Sequence, residues 1–363
     1  MSEKKYKVSI VECCSYNNRE VKKALEQSLK NINFKFKKNL KVLIKPNVLG
    51  GFEKEKAITT HPVILEELCK ILKKHNAEIY IGDSSDRDTK KALETAGFSY
   101  LSKYGKIIPF EGLSKTFFKI NNQKIPLPDL LKEVDIIINV AKLKTHILTK
   151  ATLSVKNLFG CISGKLKSDL HKKFPQEENF SRLLSELADI VKPKLNIIDG
   201  VTGIEGNGPG TTGKIKKSNL IITGKNPFAL DIIASEVMGF NPYDIFTNKF
   251  SDINRKEIEV IGKKPNLNFQ KPRLSKANPI IRPLVNLIPK PKISFNKNCT
   301  KCKICQEKCP VNAITIKEFP ECDHKKCIRC LCCIEVCPSN AIYLKESGLK
   351  ENLKKVYNKI VSF

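Results

Sequence analysis

Between residue 1 and about residue 262, short apolar runs alternate with stretches in which apolar side chains recur every third or fourth position. KYKVSIVEC, LKVLIK ending at Lys45, EIYIGD ending at Asp83, VDIIINVAK over 134–142, LNIID over 195–199 and SNLIITG over 218–224 predict strands. HPVILEELCKILKKHN, DTKKALETAG, FSRLLSELADIVK and NPFALDIIASEVMG carry the helical period. Continuous apolar strands followed by amphipathic helices predict an α/β fold, a mostly parallel, doubly wound sheet covered on both faces. In such sheets ligands sit in the crevice beyond the carboxyl ends of the strands.

The pattern breaks at 263–295, which holds six prolines and no acidic residue and reads as a linker or an arm packed along a surface. Residues 296–345 are an internal repeat with a period of 28, CTKCKICQEKCPVNAI from Cys299 and CIRCLCCIEVCPSNAI from Cys327, each followed by a β-like tail. Residues 346–363 predict a terminal helix. The expected organisation is an α/β domain (1–262), the arm (263–295), a cysteine module (296–345) and the helix (346–363).

Ten of the fourteen cysteines lie between Cys299 and Cys337, at spacings that suit metal better than disulfides. Each half reads C-x2-C-x2-C-x3-C-P. Three thiolates from one tight loop take three corners of a 4Fe-4S cube, and in the bacterial two-cluster pattern the fourth cysteine serves the other cluster. Applied here, one cluster takes Cys299, Cys302, Cys305 and Cys337, and the second takes Cys327, Cys330, Cys333 and Cys309. A zinc ribbon would use two C-x2-C pairs and four thiolates in all, whereas eight cysteines recur here in two identical frames. The module resembles the bacterial two-cluster ferredoxins over about fifty residues but is basic, with nine basic and five acidic residues in 296–345. Cys322 and Cys332 lie outside the frame and receive no role; Cys332 reads as a packing residue. Two 4Fe-4S clusters imply single-electron transfer, a redox partner protein, and a reducing, anaerobic or microaerobic setting.

The net charge of +28 raises the question of nucleic acid, but only seven of the 65 basic residues are Arg and the lysines are spread along the chain. Bidentate base reading favours Arg, and no basic run carries interleaved aromatics for stacking. A solvated lysine surface is expected, with no sequence-specific nucleic acid partner; acidic proteins and anionic membrane surfaces remain open. No window of ~18 to 20 apolar residues predicts a membrane span; Ile280–Ile288 is broken by Arg282, Pro283 and Asn286. The start, MSEKKYKVSIVECC, lacks the apolar segment and cleavage site of a secretory signal, so the chain reads as cytoplasmic.

Polar groups collect where the predicted strands end. KPN, TTHP, GDS, KLKTH, VKNLFG, DGVTGIEGNGPG and NPFALD occur in that order, and on them the chain resembles the domain-of-unknown-function family 362, whose members often carry a C-terminal two-cluster ferredoxin module. The resemblance covers roughly residues 5–262 plus the module; it implies an α/β domain and an iron-sulfur protein, and carries no reaction. Lys45, Lys142, Lys144 and Lys156 are candidates for a cationic floor under a phosphate or carboxylate, with Asn47 and Asn157 beside them. The glycine-rich stretch with Glu205, Gly206 and Gly208 offers backbone N–H groups to the same anion. His61, His146, Asp83 and Asp199 are candidate proton carriers or metal ligands. Cys161 follows a glycine near Lys156, where a cation would lower its pKa, although a buried inert thiol fits as well. Each of these residues also has a structural reading, as a solvated lysine, a turn or a helix cap. The leading expectation is an oxidoreductase that moves electrons to or from an anionic substrate in the α/β domain. Its rivals are an electron carrier or an assembly factor whose α/β domain only docks a partner, and a non-redox enzyme with structural clusters.

Overall fold

The structure is a computed structural model and describes residues 5–86, 88–164, 166–272 and 291–345. The predicted C-terminal helix and residues 273–290 of the arm lie outside the described residues. In chain order the strands are β1 (Tyr6–Glu12), β2 (Lys41–Lys45), β3 (Glu78–Asp83), β4 (Lys106–Pro109), β5 (Lys115–Ile120), β6 (Gln123–Pro128), β7 (Ile136–His146), β8 (Lys150–Thr152), β9 (Leu195–Gly206), β10 (Gly213–Gly224) and β11 (Ile258–Ile261). β5 and β6 form a separate hairpin. The other nine form one sheet in the order β11-β1-β10-β9-β7-β2-β3-β4, with β8 paired to β7.

β7, β2, β3 and β4 run parallel, as do β7 and β9. β10 is antiparallel to β9 and to β1, so the sheet is mixed but mostly parallel, as its apolar runs predict. Successive residues of each central strand enter opposite cores: Leu43 and Leu143 join one cluster, Val42, Ile44 and Val140 the other. The helices Glu177–Val191 and Pro227–Val237 cover the first face, and Asn18–Asn31 and Pro62–Lys73 the second. Each fully buried Leu or Ile contributes about 1.5–3 kcal/mol, which makes these two layers the main source of stability. Asn17, His61 and Asn226 cap helices with their side chains, and Pro62 and Pro227 open theirs at the position where a missing N–H costs nothing.

Three boundaries differ from the sequence reading. β7 continues past Lys142 to His146, and β9 past Asp199 to Gly206, because their apolar alternation continues through polar residues that are themselves buried. The arm's first part, through Phe269, adds backbone hydrogen bonds to Val237 and Met238 and lays Phe269 into the core. Its last residues form β12 (Lys292–Phe295), which pairs with β15 (Ile342–Lys345) and so belongs with the cysteine module. The module's other strands, β13 (Ile314–Ile316) and β14 (Pro320–Cys322), form a second hairpin.

Candidate functional site

Lys45, the last residue of β2, is fully buried, and its Nζ donates to Asp83 Oδ1 at 2.7 Å and to the Pro46 carbonyl at 2.8 Å. Asp83, the last residue of β3, also accepts from the Val48 N–H. Gly160 approaches this pair so closely that a Cβ there would collide with both side chains, which explains the glycine of VKNLFG. Lys144 Nζ donates to Asn47 Oδ1 at 2.7 Å and to the Ile58 carbonyl at 2.8 Å, and has no carboxylate among these partners. Asn47 donates to Asn157, and Asn157 to Asn139, so a chain of buried amides fixes the floor. Burial pushes the Lys144 ammonium down to about 7. Asp231 accepts from the Ser154 and Val155 N–H groups, which sets the turn that carries Lys156.

Lys45, Asn47, Asp83, Lys144, Lys156, Asn157 and Gly160 line one crevice together with His146, Thr152, Asp86, Lys167 and His171. The cysteine module closes one side of it with Lys308, Cys332, Glu335 and Val336. His146 Nδ1 accepts from the Leu148 and Thr149 N–H groups at 3.1 and 3.2 Å, so in the neutral ring the hydrogen sits on Nε2. Burial lowers this histidine to about 4 and His171 to about 3, leaving both neutral near pH 7. His146 Nε2 stands 3.1 Å from Glu335 Oε1 across the boundary between the two domains. His171 Nδ1 and Thr152 Oγ1 are buried without hydrogen-bond partners. Lys156 is half-buried, with Nζ 5.6 Å from the Phe159 and Phe180 ring centres, and burial lowers its pKa. Lys167 reaches the Ser84 carbonyl and lies 3.8 Å from Asp86. Two of the buried polar atoms without hydrogen-bond partners among the described residues, His171 Nδ1 and Thr152 Oγ1, thus belong to residues of this one cavity.

The remaining candidates fall elsewhere. Lys142 turns towards β9, not β2, and donates to Asp199 Oδ2 at 2.9 Å and to Tyr16 Oη at 2.7 Å. Asp199 also accepts from Tyr16 Oη and from the His61 N–H, and the His61 ring stacks on Tyr16 at 3.6 Å. Burial lowers His61 to about 4. This second network does not line the crevice. Glu205 pairs with Lys216 at 3.0 Å and accepts from the Gln270 N–H, also away from it. Gly206 takes a positive φ of 77° at the end of β9. Gly208 packs on the Thr145 carbonyl and its own carbonyl accepts from the Ile147 N–H. The following residues hold the module: Gly210 abuts the Glu335 carbonyl, and Thr211 Oγ1 donates to the Cys337 carbonyl at 3.0 Å. The glycine-rich stretch therefore seats the module, and only Pro209 of it reaches the crevice. Cys161 is wholly buried, does not line the crevice, and burial raises its thiol to about 12.

Asp86, Thr152, Lys167, His171, Glu335 and Tyr16 are absent from the sequence reading. Lys167 and His171 had a usable signal, since they lie four apart on the helix Leu166–Lys173 and share a face. Glu335 lies between two cysteines of the repeat and gives no such signal.

In the module, Cys299, Cys302, Cys305 and Cys337 line one cavity, and Cys309, Cys327, Cys330 and Cys333 another. Backbone N–H groups of Lys301, Ala313 and Ala341 point at the sulfurs of Cys299, Cys309 and Cys337. Among the described residues no three His, Cys, Asp or Glu side chains converge on a point a single ion would fill. Four thiols around a cavity, with N–H groups aimed at sulfur, fit a 4Fe-4S cube. No helix among the described residues is long and apolar enough to cross a membrane.

Comparison with known proteins agrees with this division. A 4Fe-4S binding domain matches residues 295–315 and 323–343, so the chain carries two 4Fe-4S clusters and has an iron-sulfur electron-transfer role. A curated relative, the thylakoid-associated protein sll1697 of Synechocystis sp. (strain ATCC 27184 / PCC 6803 / Kazusa), is 29% identical over 211 residues. The match spans 57% of this chain and 65% of the relative's length. Among solved structures, the lactate racemase apoprotein from Thermoanaerobacterium thermosaccharolyticum superposes with a TM-score of 0.38 at 15% identity, over 53% of this chain and 49% of that one. The domain of unknown function DUF362 matches residues 42–236 of the 363, and the chain belongs to that family.

Proposed function

We propose that the crevice binds a small anionic substrate and that the two clusters exchange single electrons with it, which would make the chain an oxidoreductase. The observation that carries this reading is the shared wall. The helix Cys332–Val336 includes Cys333, is followed by Cys337, and so touches both thiol sets, while its Cys332, Glu335 and Val336 line the same crevice as Lys144 and Lys156. Cys299, Cys302, Cys305 and Cys337 would hold one cluster, and Cys309, Cys327, Cys330 and Cys333 the other. The clusters supply one electron at a time. Lys144 and Lys156 would fix the anion, the amide chain would hold Lys144 in place, and the neutral His146, its Nε2 hydrogen facing Glu335 at 3.1 Å, would hold that carboxylate at the wall of the site. Closure between the two domains would keep water out.

The test is titration of anaerobically purified protein with phosphate and with small mono- and dicarboxylates, followed by calorimetry and by the electron paramagnetic resonance of the reduced clusters. One of these anions is expected to bind and to change the signal of at least one cluster, and Lys156→Ala to abolish both effects with iron content unchanged. Binding of none of them, or binding that leaves both signals unaltered, overturns the reading and leaves the α/β domain as a docking platform.

A further inference from the structure

The two cysteine loops share one backbone form but face different surroundings. Lys301 and Lys303 in the first loop take positive φ angles of 53° and 62°, and their counterparts 28 residues on, Arg329 and Leu331, take 57° and 67°. In the second loop Cys330 is buried, Leu331 is 2% exposed in a core shared with Ile147, and Glu335 faces the crevice. The corresponding Cys302, Lys303 and Glu307 of the first loop are all exposed. The repeat thus turns one loop inward, to the α/β domain, and the other outward.

The outward loop has a marked charge. Lys297, Lys301 and Lys303 are exposed around Cys302, and no acidic residue occurs from 296 to 306. Left-handed backbone disfavours a side chain with a Cβ by about 1–2 kcal/mol and is most readily met by Gly or Asn, so the turn itself does not call for lysine at 301 and 303. Positive charge around an accessible thiol set suits a partner of opposite sign, because complementary potentials speed and orient encounter.

We propose that the loop 297–303 is the docking face for an acidic, one-electron carrier protein. Each encounter moves one electron between the carrier and this chain, the one losing what the other gains, with no proton transfer required. The proposal rests on the chain's electron-transfer role and not on the identity of the crevice ligand.

The test measures binding of an acidic bacterial ferredoxin to the full, cluster-loaded protein, both oxidised, with no small molecule added. A basic c-type cytochrome serves as the opposite-charge control. Binding is expected for the ferredoxin alone, and to weaken as salt shortens the Debye length. Lys301→Glu/Lys303→Glu should weaken it at least about tenfold at low ionic strength. Lys22→Glu/Lys23→Glu, an identical charge change on the exposed face of the helix Asn18–Asn31, should weaken it less than about threefold. Iron content reports whether the clusters survive; if the glutamates lower it, Lys301→Asn/Lys303→Asn suits the left-handed backbone and should still weaken binding several-fold. Equal weakening by the two pairs would show attraction to the general +28 surface and overturn the proposal. So would an unchanged affinity in the loop variants, no ferredoxin binding at low ionic strength, or loop-dependent binding to anionic phosphatidylglycerol vesicles in preference to the ferredoxin. Because no crevice ligand is present, failure here is separable from failure of the substrate site.

Discussion

Replacing Asp83 by alanine should be among the most damaging single changes in the α/β domain. The carboxylate accepts from Lys45 Nζ at 2.7 Å and from the Val48 and Ser84 N–H groups, each at 2.8 Å. Lys45 is 0% exposed and keeps only the Pro46 carbonyl once Asp83 is truncated. Removing one partner of a buried ion pair costs about 3–5 kcal/mol because the other charge is left uncompensated. The two orphaned amides overlap with that loss and are not added to it. Against a typical total of roughly 5–15 kcal/mol, this removes a large part of the stability. At about 2–4 °C per kcal/mol for a domain of this size, the melting temperature should fall by roughly 6–20 °C. The assay is anaerobic urea and thermal unfolding followed by circular dichroism, with cluster absorbance recorded separately. Lys45→Met/Asp83→Leu removes both charges and should recover the part of the loss that comes from the uncompensated lysine, while the Val48 and Ser84 N–H groups stay unpaired. A loss below about 1 kcal/mol for Asp83→Ala, or a double variant as unstable as the single, would refute the assignment of that energy to an uncompensated Lys45 charge.

Protein purified without oxygen should hold about eight iron and eight acid-labile sulfide per chain. Cys309→Ser should damage the cluster of the second loop and Cys337→Ser that of the first, as resolved by Mössbauer or electron paramagnetic resonance spectra; damage confined to the mutated half would disprove crossed ligation. Lys144 is depressed to about 7, so it carries its charge below that pH and loses it above. Anion affinity should therefore fall as pH rises from 6 to 8.5, and Lys144→Met should flatten the profile; an equal slope in the variant would place the titrating group elsewhere. Retention on duplex DNA should be weak, indifferent to sequence and lost in moderate salt, and tight binding to one sequence at physiological salt would reverse the reading of the lysine surface.

The amino-acid sequence carried the ends of β2 and β3 and the cluster frames well, because both are local, but it stopped β7 and β9 short. Lys45 and Asp83 fall at the ends of apolar runs, and the cysteine spacing is itself the loop geometry. The partition of the polar residues was not legible. A strand's period of two puts Lys142, Lys144 and His146 on the same side of β7, but whether each leans to β9 or to β2 depends on the sheet order. That order sends Lys142, with Asp199 and His61, into a network outside the crevice. The glycine-rich stretch resembled an anion nest because its composition suits one; its close contacts with Thr145 and Glu335 arise between segments far apart in sequence. Glu335 itself becomes a crevice residue only through the docking of the module.

The shared wall makes the crevice a joint property of two domains, and this couples two equilibria. A ligand that touches both Lys144 and the helix Cys332–Val336 strengthens the seating of the module by the same free energy with which the seated module strengthens the ligand's hold. Among the described residues the module is seated near the crevice by Gly210 against Glu335, Thr211 to Cys337, Glu335 Oε1 3.1 Å from His146 Nε2, and Ile147 in the module's core. Loosening them by Thr211→Val would therefore register as weaker ligand binding at a site Thr211 does not line, and a saturating ligand would in turn protect the peptide amides under the module from hydrogen exchange.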